Sequence, residues 1–220
     1  MTDLVFWEPN KIDAVPFTTS DIIAESTKIS YRSIQRTIER QLHRLEAFGR
    51  VRFEITPFQT KGGVQDHKIY FLNEEQATLL ITFLKNNDIV ADFKVELVRQ
   101  FYAMRRELLQ RRVERAKLLP SRRDMTDAIR DCVPDSPHKS MWYKHYTDLA
   151  YRAAFGKSAA QLRKERNVPQ KAIATDYMTA DELSAVERIT KQIGVLVEMR
   201  LDYGQIKAML LNPALREAAS

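Results

Sequence analysis

Cysteine occurs once in 220 residues, as Cys132, so no disulfide can form within the chain and a reducing, cytoplasmic setting is expected. Glycine and proline are sparse, at six and eight residues, which argues against flexible low-complexity segments. No apolar run approaches the ~20 residues needed to span a bilayer. The patch Leu4-Val5-Phe6-Trp7 stops at Glu8-Pro9 without a basic flank, unlike a secretory signal, so no membrane partner is expected. Only four histidines are present, and the closest set of metal-ligating types, Cys132, His138 and His145, matches no zinc spacing. Neither G-x-x-x-x-G-K-[ST] nor G-x-G-x-x-G occurs, so the usual phosphate cradles are missing. With no Cys/His or Ser/His/Asp signature either, neither an enzyme nor a cofactor is expected. No internal repeat of 20–50 residues exists.

What the chain does carry is unevenly placed positive charge. The net charge is +6, from 35 basic and 29 acidic residues. Residues 1–27 hold −4, residues 28–123 hold +9 and residues 124–220 hold +1. An excess confined to one stretch points to a polyanionic partner.

Asn10 to Pro16 closes an irregular leader, and a short helix is expected from Thr19 or Ser20, with Ser20 as its cap and Ile22, Ile23 and Ala24 inward. Thr27 to Ser30 reads as a turn with Ser30 as a new cap; a second helix then runs to about Phe48, where Gly49 stops it. That helix has two stripes. Ile34, Ile38, Leu42 and Leu45 form one; Arg32, Arg36, Arg40 and Arg44 form the other, about 200° away at ~100° per residue. Arg50 to Ile55 alternates like a half-buried strand, and His67 to Leu72 follows the Gly62-Gly63 turn, giving a hairpin tipped by Lys61. Helix, turn, helix and hairpin is the order of a winged helix-turn-helix.

Asn73 and Gln76 form a capping-box pattern ahead of an apolar helix. Asp88 opens a long helix expected to end near Leu119, before Pro120. Its apolar residues at 93, 97, 101, 104 and 108 read as a coiled-coil-like stripe, hence a homodimer. Helices at 122–132, 139–155, 158–166, 179–199 and 203–211 are expected to build a carboxy-terminal bundle.

Arginine reads guanine edges and clamps phosphates, and a helix fits the ~12 Å major groove. An exposed arginine stripe is also compatible with a merely solvated helix face; the helix before it and the hairpin after it favour DNA. The candidate DNA-binding residues are Tyr31, Arg32, Ser33, Gln35, Arg36, Arg40, Arg44, Arg50, Arg52 and Lys61. A run of bases from Arg105 to Arg123 could clamp phosphates or simply complement a helix C-terminus. Lys139, Lys144, Arg152, Lys157, Arg163 and Lys164 form a second candidate nucleic-acid surface, interleaved with Trp142, Tyr143, Tyr146, Tyr151 and Phe155. At helical spacing those aromatics also read as core, which is the favoured reading.

From Lys68-Ile69-Tyr70-Phe71-Leu72-Asn73-Glu74-Glu75-Gln76-Ala77-Thr78-Leu79-Leu80 through Phe93-Lys94 to Gln100-Phe101-Tyr102-Ala103-Met104, the chain resembles the Rha family of phage regulatory proteins. The shared features are a Tyr-containing strand, a polar cap, a "TLL" helix, then "FK" and "F-x-x-M" on the next helix. The resemblance covers roughly residues 17–110. It implies a phage or prophage regulator with an amino-terminal winged-helix-like DNA-binding domain. Related phage proteins act as antirepressors, which bind a repressor protein. The family's recognition helix commonly begins with a His/Lys-rich segment, whereas this chain has Ser30-Tyr31-Arg32-Ser33-Ile34-Gln35-Arg36, so no target sequence carries over. The segment from Tyr146 to Arg166 resembles a helical module appended to phage regulators.

The expected fold is mainly α: a leader at 1–16, a winged helix-turn-helix at 17–87 with a small β-hairpin wing, a long linking or dimerisation helix at 88–119, and a helical domain at 120–220. The expected function is sequence-specific binding of double-stranded DNA in transcriptional regulation. The alternatives are an antirepressor that binds a phage repressor, and a replication or recombination accessory that binds single strands.

Overall fold

The structure, a computed structural model, describes residues 3–8, 14–60 and 63–212. It is mainly α-helical with one small antiparallel sheet, as the patterning predicts. The chain divides into two compact units, residues 1–106 and 107–220.

In the first unit, β1 (Phe17–Thr19) leads into α1 (Ser20–Thr27) and α2 (Tyr31–Leu45), and a short 3-10 turn spans Glu46–Phe48. The hairpin strands β2 (Arg52–Thr60) and β3 (Gly63–Asn73) follow, then α3 (Glu74–Thr82). The sheet order is β1-β3-β2, with Phe17 opposite Asn73, Phe53 opposite Tyr70 and Ile55 opposite Lys68. The strand β1 was not expected. Three residues carry no periodic signal, and what makes them a strand is pairing with β3, more than fifty residues later.

That pairing corrects the first cap. Thr19 is still extended, at φ −119° and ψ 156°, and its side chain accepts from the Ile22 N–H, so Thr19 caps α1 in place of Ser20. Ser20 is fully buried, and its hydroxyl accepts from the Tyr70 N–H at 3.0 Å. The leader also contributes to the core. Leu4 and Val5 are buried, the Leu4 N–H donates to Gln100 Oε1 at 2.7 Å, and Phe6 bridges Phe17.

Ser30 caps α2 as its position implies, and Gly49, at φ +108°, ends the following turn in a conformation that favours glycine. Asn73 and Gln76 form the expected capping box. Gln76 is buried as well, and its amide donates to the Gly49 carbonyl at 2.7 Å, tying the end of α2 to the start of α3.

The helix α4 (Asp88–Cys132) does not stop at Leu119; it continues through Pro120 for another three turns. Proline removes one N–H and leaves the carbonyl four residues back without its partner. Here both Pro120 and Ala116 are exposed, so water can satisfy that carbonyl. Leu118, Met125, Ala128 and Ile129 are buried, and the Ser121 hydroxyl donates to Glu187 at 2.6 Å. Tertiary burial therefore outweighs the break. The stripe read as a dimer seam is also occupied: Phe93, Leu97 and Phe101 are buried with α1, α2 and α3, and Met104 packs against them.

The second unit adds α5 (Lys139–Phe155), α6 (Ala159–Glu165), a 3-10 turn at Ala174–Tyr177, α7 (Ala180–Glu198) and α8 (Tyr203–Leu211). Capping boxes at Ser158/Gln161, Thr179/Glu182 and Asp202/Gln205 start α6, α7 and α8. Met125, Ile129, Tyr146, Leu149, Ile193, Val197 and Ile206 share one core. Gly194 lets α7 approach α4, since a Cβ there would lie 3.4 Å from the Met125 Cα.

Arg111, only 8% exposed, donates to the carbonyls of Met178 at 2.6 Å and Asp176 at 2.7 Å. Burial lowers its pKa, and Glu107 works against that shift. Arg111→Ala leaves those carbonyls short of partners and is expected to cost about 3 kcal/mol, read as a lower urea midpoint for the full chain.

Candidate nucleic-acid interface

The apolar stripe of α2 determines which side chains face out. Ile34, Ile38 and Leu45 are fully buried, and Leu42 packs against the same core. Arg32, Arg36, Arg40 and Arg44 are therefore exposed on the other side. Arg32, Arg36 and Arg40 have no carboxylate or hydrogen-bond partner among the described residues, whereas Arg44 donates to Gln41. Their one-turn spacing covers ~12 Å at 1.5 Å per residue.

The neighbouring positions have more local roles. The Ser33 hydroxyl lies 2.8 Å from that of Ser30 at the helix cap. Gln35 donates to Glu39 at 3.5 Å, and the Thr37 hydroxyl returns to the Ser33 carbonyl. Tyr31 is turned toward the hairpin: its hydroxyl donates to the Lys68 carbonyl, and its ring lies 4.1 Å from that of His67. His67 in turn donates to Asp21 of α1 at 2.9 Å. Tyr70 donates to Glu39 at 3.1 Å. These bonds lay β3 alongside α2, one near its first turn and one at its middle. They also engage Glu39, the acid inside the arginine stripe.

The hairpin residues separate into two groups. Arg52 lies at the base, opposite Phe71, paired to Glu8 at 3.0 Å and positioned over the Phe71 ring at 5.8 Å. Thr60, at the far end of β2, is ~27 Å away by strand length. Arg50 precedes β2, is exposed, and lines a cavity of about 290 Å³ with Arg52, Glu8, Phe17 and Phe71. Lys61, expected at the tip, lies outside the described residues.

Sequence reasoning passed over Lys68, Phe53 and Ile55. The Lys68 ammonium sits 4.1 Å from the centre of the Phe53 ring and 4.8 Å from that of Tyr70. The strand period carried the signal: a lysine sharing a face with Tyr70 and Leu72 is out of place in a core and calls for a partner.

The other basic groups are largely committed within their unit. Arg115 pairs with Asp176, Lys117 with Glu114, and Arg122 donates to the Tyr151 hydroxyl. In the second candidate surface, Lys139 donates to the Arg130 carbonyl and to Asp135, both at 2.7 Å, and Lys157 pairs with Glu165. Lys144, Arg152 and Lys164 are exposed, and Arg163 is half-buried. The α5 aromatics turn to the core: Tyr146 is buried, and Trp142 packs on Tyr146 and Tyr203 at 6.1 and 5.4 Å. A stacking platform for single strands loses its rings that way. Among the described residues no helix is long and apolar enough to cross a membrane, and no cluster of three His, Cys, Asp or Glu could hold a metal.

Residues 18–106 match the family model of the phage regulatory protein Rha. That stretch contains α1, α2, the hairpin and α3, and it agrees with the resemblance read from the motifs. The match supports a phage regulatory role. No curated protein matches the chain.

Burial raises the pKa of Tyr31, helped by Asp21, and burial likewise raises that of Tyr70. For such groups the stability they contribute is complete below the unfolded value of ~10 and is lost as pH climbs through the raised values, because the unfolded chain ionises first. The thermal midpoint should fall from about pH 10 upward, and Tyr31→Phe plus Tyr70→Phe should flatten that fall.

Proposed function

We propose that the Rha-like unit is a sequence-specific duplex-DNA-binding regulator, a winged helix-turn-helix in which α2 enters the major groove. The observation that carries this reading is the set of three exposed, unpartnered arginines, Arg32, Arg36 and Arg40, on a helix whose opposite side buries Ile34, Ile38 and Leu45 completely. A face held outward by burial of its back keeps a constant orientation, which is what a reader of base edges requires.

Arg32 and Arg36, near the amino end of α2, are assigned to bases or their flanking phosphates, since recognition helices contact base edges through their first turns. Arg40 and Arg44 lie further along and suit phosphates. Ser33 and Gln35 supply neutral groups near the same turns. Arg50, exposed at the hairpin base, suits a flanking phosphate, whereas Tyr31 positions α2 through its bond to β3. Arg52 would have to leave Glu8 to join, and its share is the smallest. The role is binding, with no reaction assigned.

Each phosphate contact releases counterions, so the slope of log affinity against log salt counts them. Arg32→Ala with Arg36→Ala should reduce that slope by up to about two and weaken duplex binding. Arg163→Ala with Lys164→Ala, in the second unit, should leave it unchanged. An unaltered slope in the first pair would refute the assignment of α2.

A further inference from the structure

Phe53 and Ile55 occupy an unusual position in the first unit. They sit two residues apart on β2, so both point to one face of the sheet, and they stand directly opposite Tyr70 and Lys68. Residues directly opposite in an antiparallel pair share a face, so this is the face on which Tyr70 is buried and reaches Glu39 of α2. Yet Phe53 is 49% exposed and Ile55 57%. The core-facing side of the sheet thus runs out past the helices that cover it. β2 is also an edge strand, where neighbouring exposed Phe and Ile would invite self-pairing; Pro57, lacking an N–H, interrupts that edge.

The charges around the pair identify its occupant. Lys68 stands over both rings, with no carboxylate partner among the described residues, and the ring faces favour its charge even when water is excluded. Tyr31 bonds the Lys68 carbonyl and Glu39 the Tyr70 hydroxyl, so this face adjoins α2 along the stretch that carries Arg32, Arg36 and Arg40. Glu39, the nearest acid on that helix, is engaged by Tyr70 and Gln35; Asp66, opposite Pro57, lies further from α2 on the same face and makes no ion pair with Lys68, and Glu54 falls on the opposite face of β2. On the side of Lys68 toward α2, cations and apolar side chains alternate across one surface, with Asp66 on the far side. A nucleic-acid strand offers the matching alternation of phosphates and deoxyribose carbons.

We propose that Phe53 and Ile55 pack against deoxyribose and base-edge carbons of the strand flanking α2, with Lys68 on the adjacent phosphate. This extends the duplex contact beyond α2 and gives it an apolar component, and it rests on the duplex-binding reading above.

The test is duplex affinity of the full chain for a mixed-sequence DNA, measured across a salt series. Phe53→Ala with Ile55→Ala should weaken binding about tenfold or more with the salt slope unchanged, because apolar contacts release no counterions. Lys68→Gln should reduce the slope by about one. Phe53→Leu with Ile55→Val should retain most of the affinity, and an unchanged thermal midpoint shows that each variant is folded. Wild-type affinity in the alanine pair overturns the contact while leaving α2 as the reader. A lower slope in that pair overturns it too, by assigning the loss to displaced charges. Lost self-association with intact duplex affinity would make the pair a protein contact and equally overturn it. Failure of the unaltered protein to bind duplex at low salt refutes the underlying reading itself.

Discussion

Burial of one stripe of α2 is the constraint on which the rest of the first unit depends. Ile34, Ile38 and Leu45 are removed from water completely, and each such side chain contributes about 1.5–3 kcal/mol relative to exposure. With 3.6 residues per turn, fixing that stripe inward fixes Arg32, Arg36 and Arg40 outward, and no separate interaction is needed to hold them there. The hydrogen bonds from Tyr31 and Tyr70 then set the hairpin beside the same helix. The Gln76 amide closes the arrangement at the other end by holding the turn at Gly49. The outward face is a consequence of the core.

Local chemistry made much of this legible in the amino-acid order. Caps and turn residues act within four positions, so Ser30, Gly49, and Asn73 with Gln76 mark helix boundaries close to where they occur. Long-range pairing left no such signal. Phe17 to Thr19 becomes a strand only because β3 lies alongside, and that displaces the first cap from Ser20 to Thr19. Pro120 is a sound local stop signal that loses to the burial of Leu118, Met125 and Ile129 around it. The stripe from Phe93 to Leu108 is correctly apolar, but periodicity cannot tell a chain's own core from a second copy.

The same division runs through the basic residues. Composition counts them alike, yet Arg111, Arg115, Arg122, Lys139 and Lys157 are spent on carbonyls, carboxylates or a phenol within the second unit. Arg32, Arg36 and Arg40 are left with water, and Lys68 with two aromatic rings. Exposed positive charge on α2, held outward by the buried stripe on the opposite side of the helix, gives a basic face to a unit that matches a family of phage regulators.

Selection of bound sequences from a random duplex library, with a single-stranded library as control, tests sequence-specific duplex recognition most directly. The account predicts enrichment of a duplex motif a few base pairs long, as befits one helix in one groove, with no enrichment among single strands. Retention of duplexes without any motif, or equal retention of single strands, would contradict it.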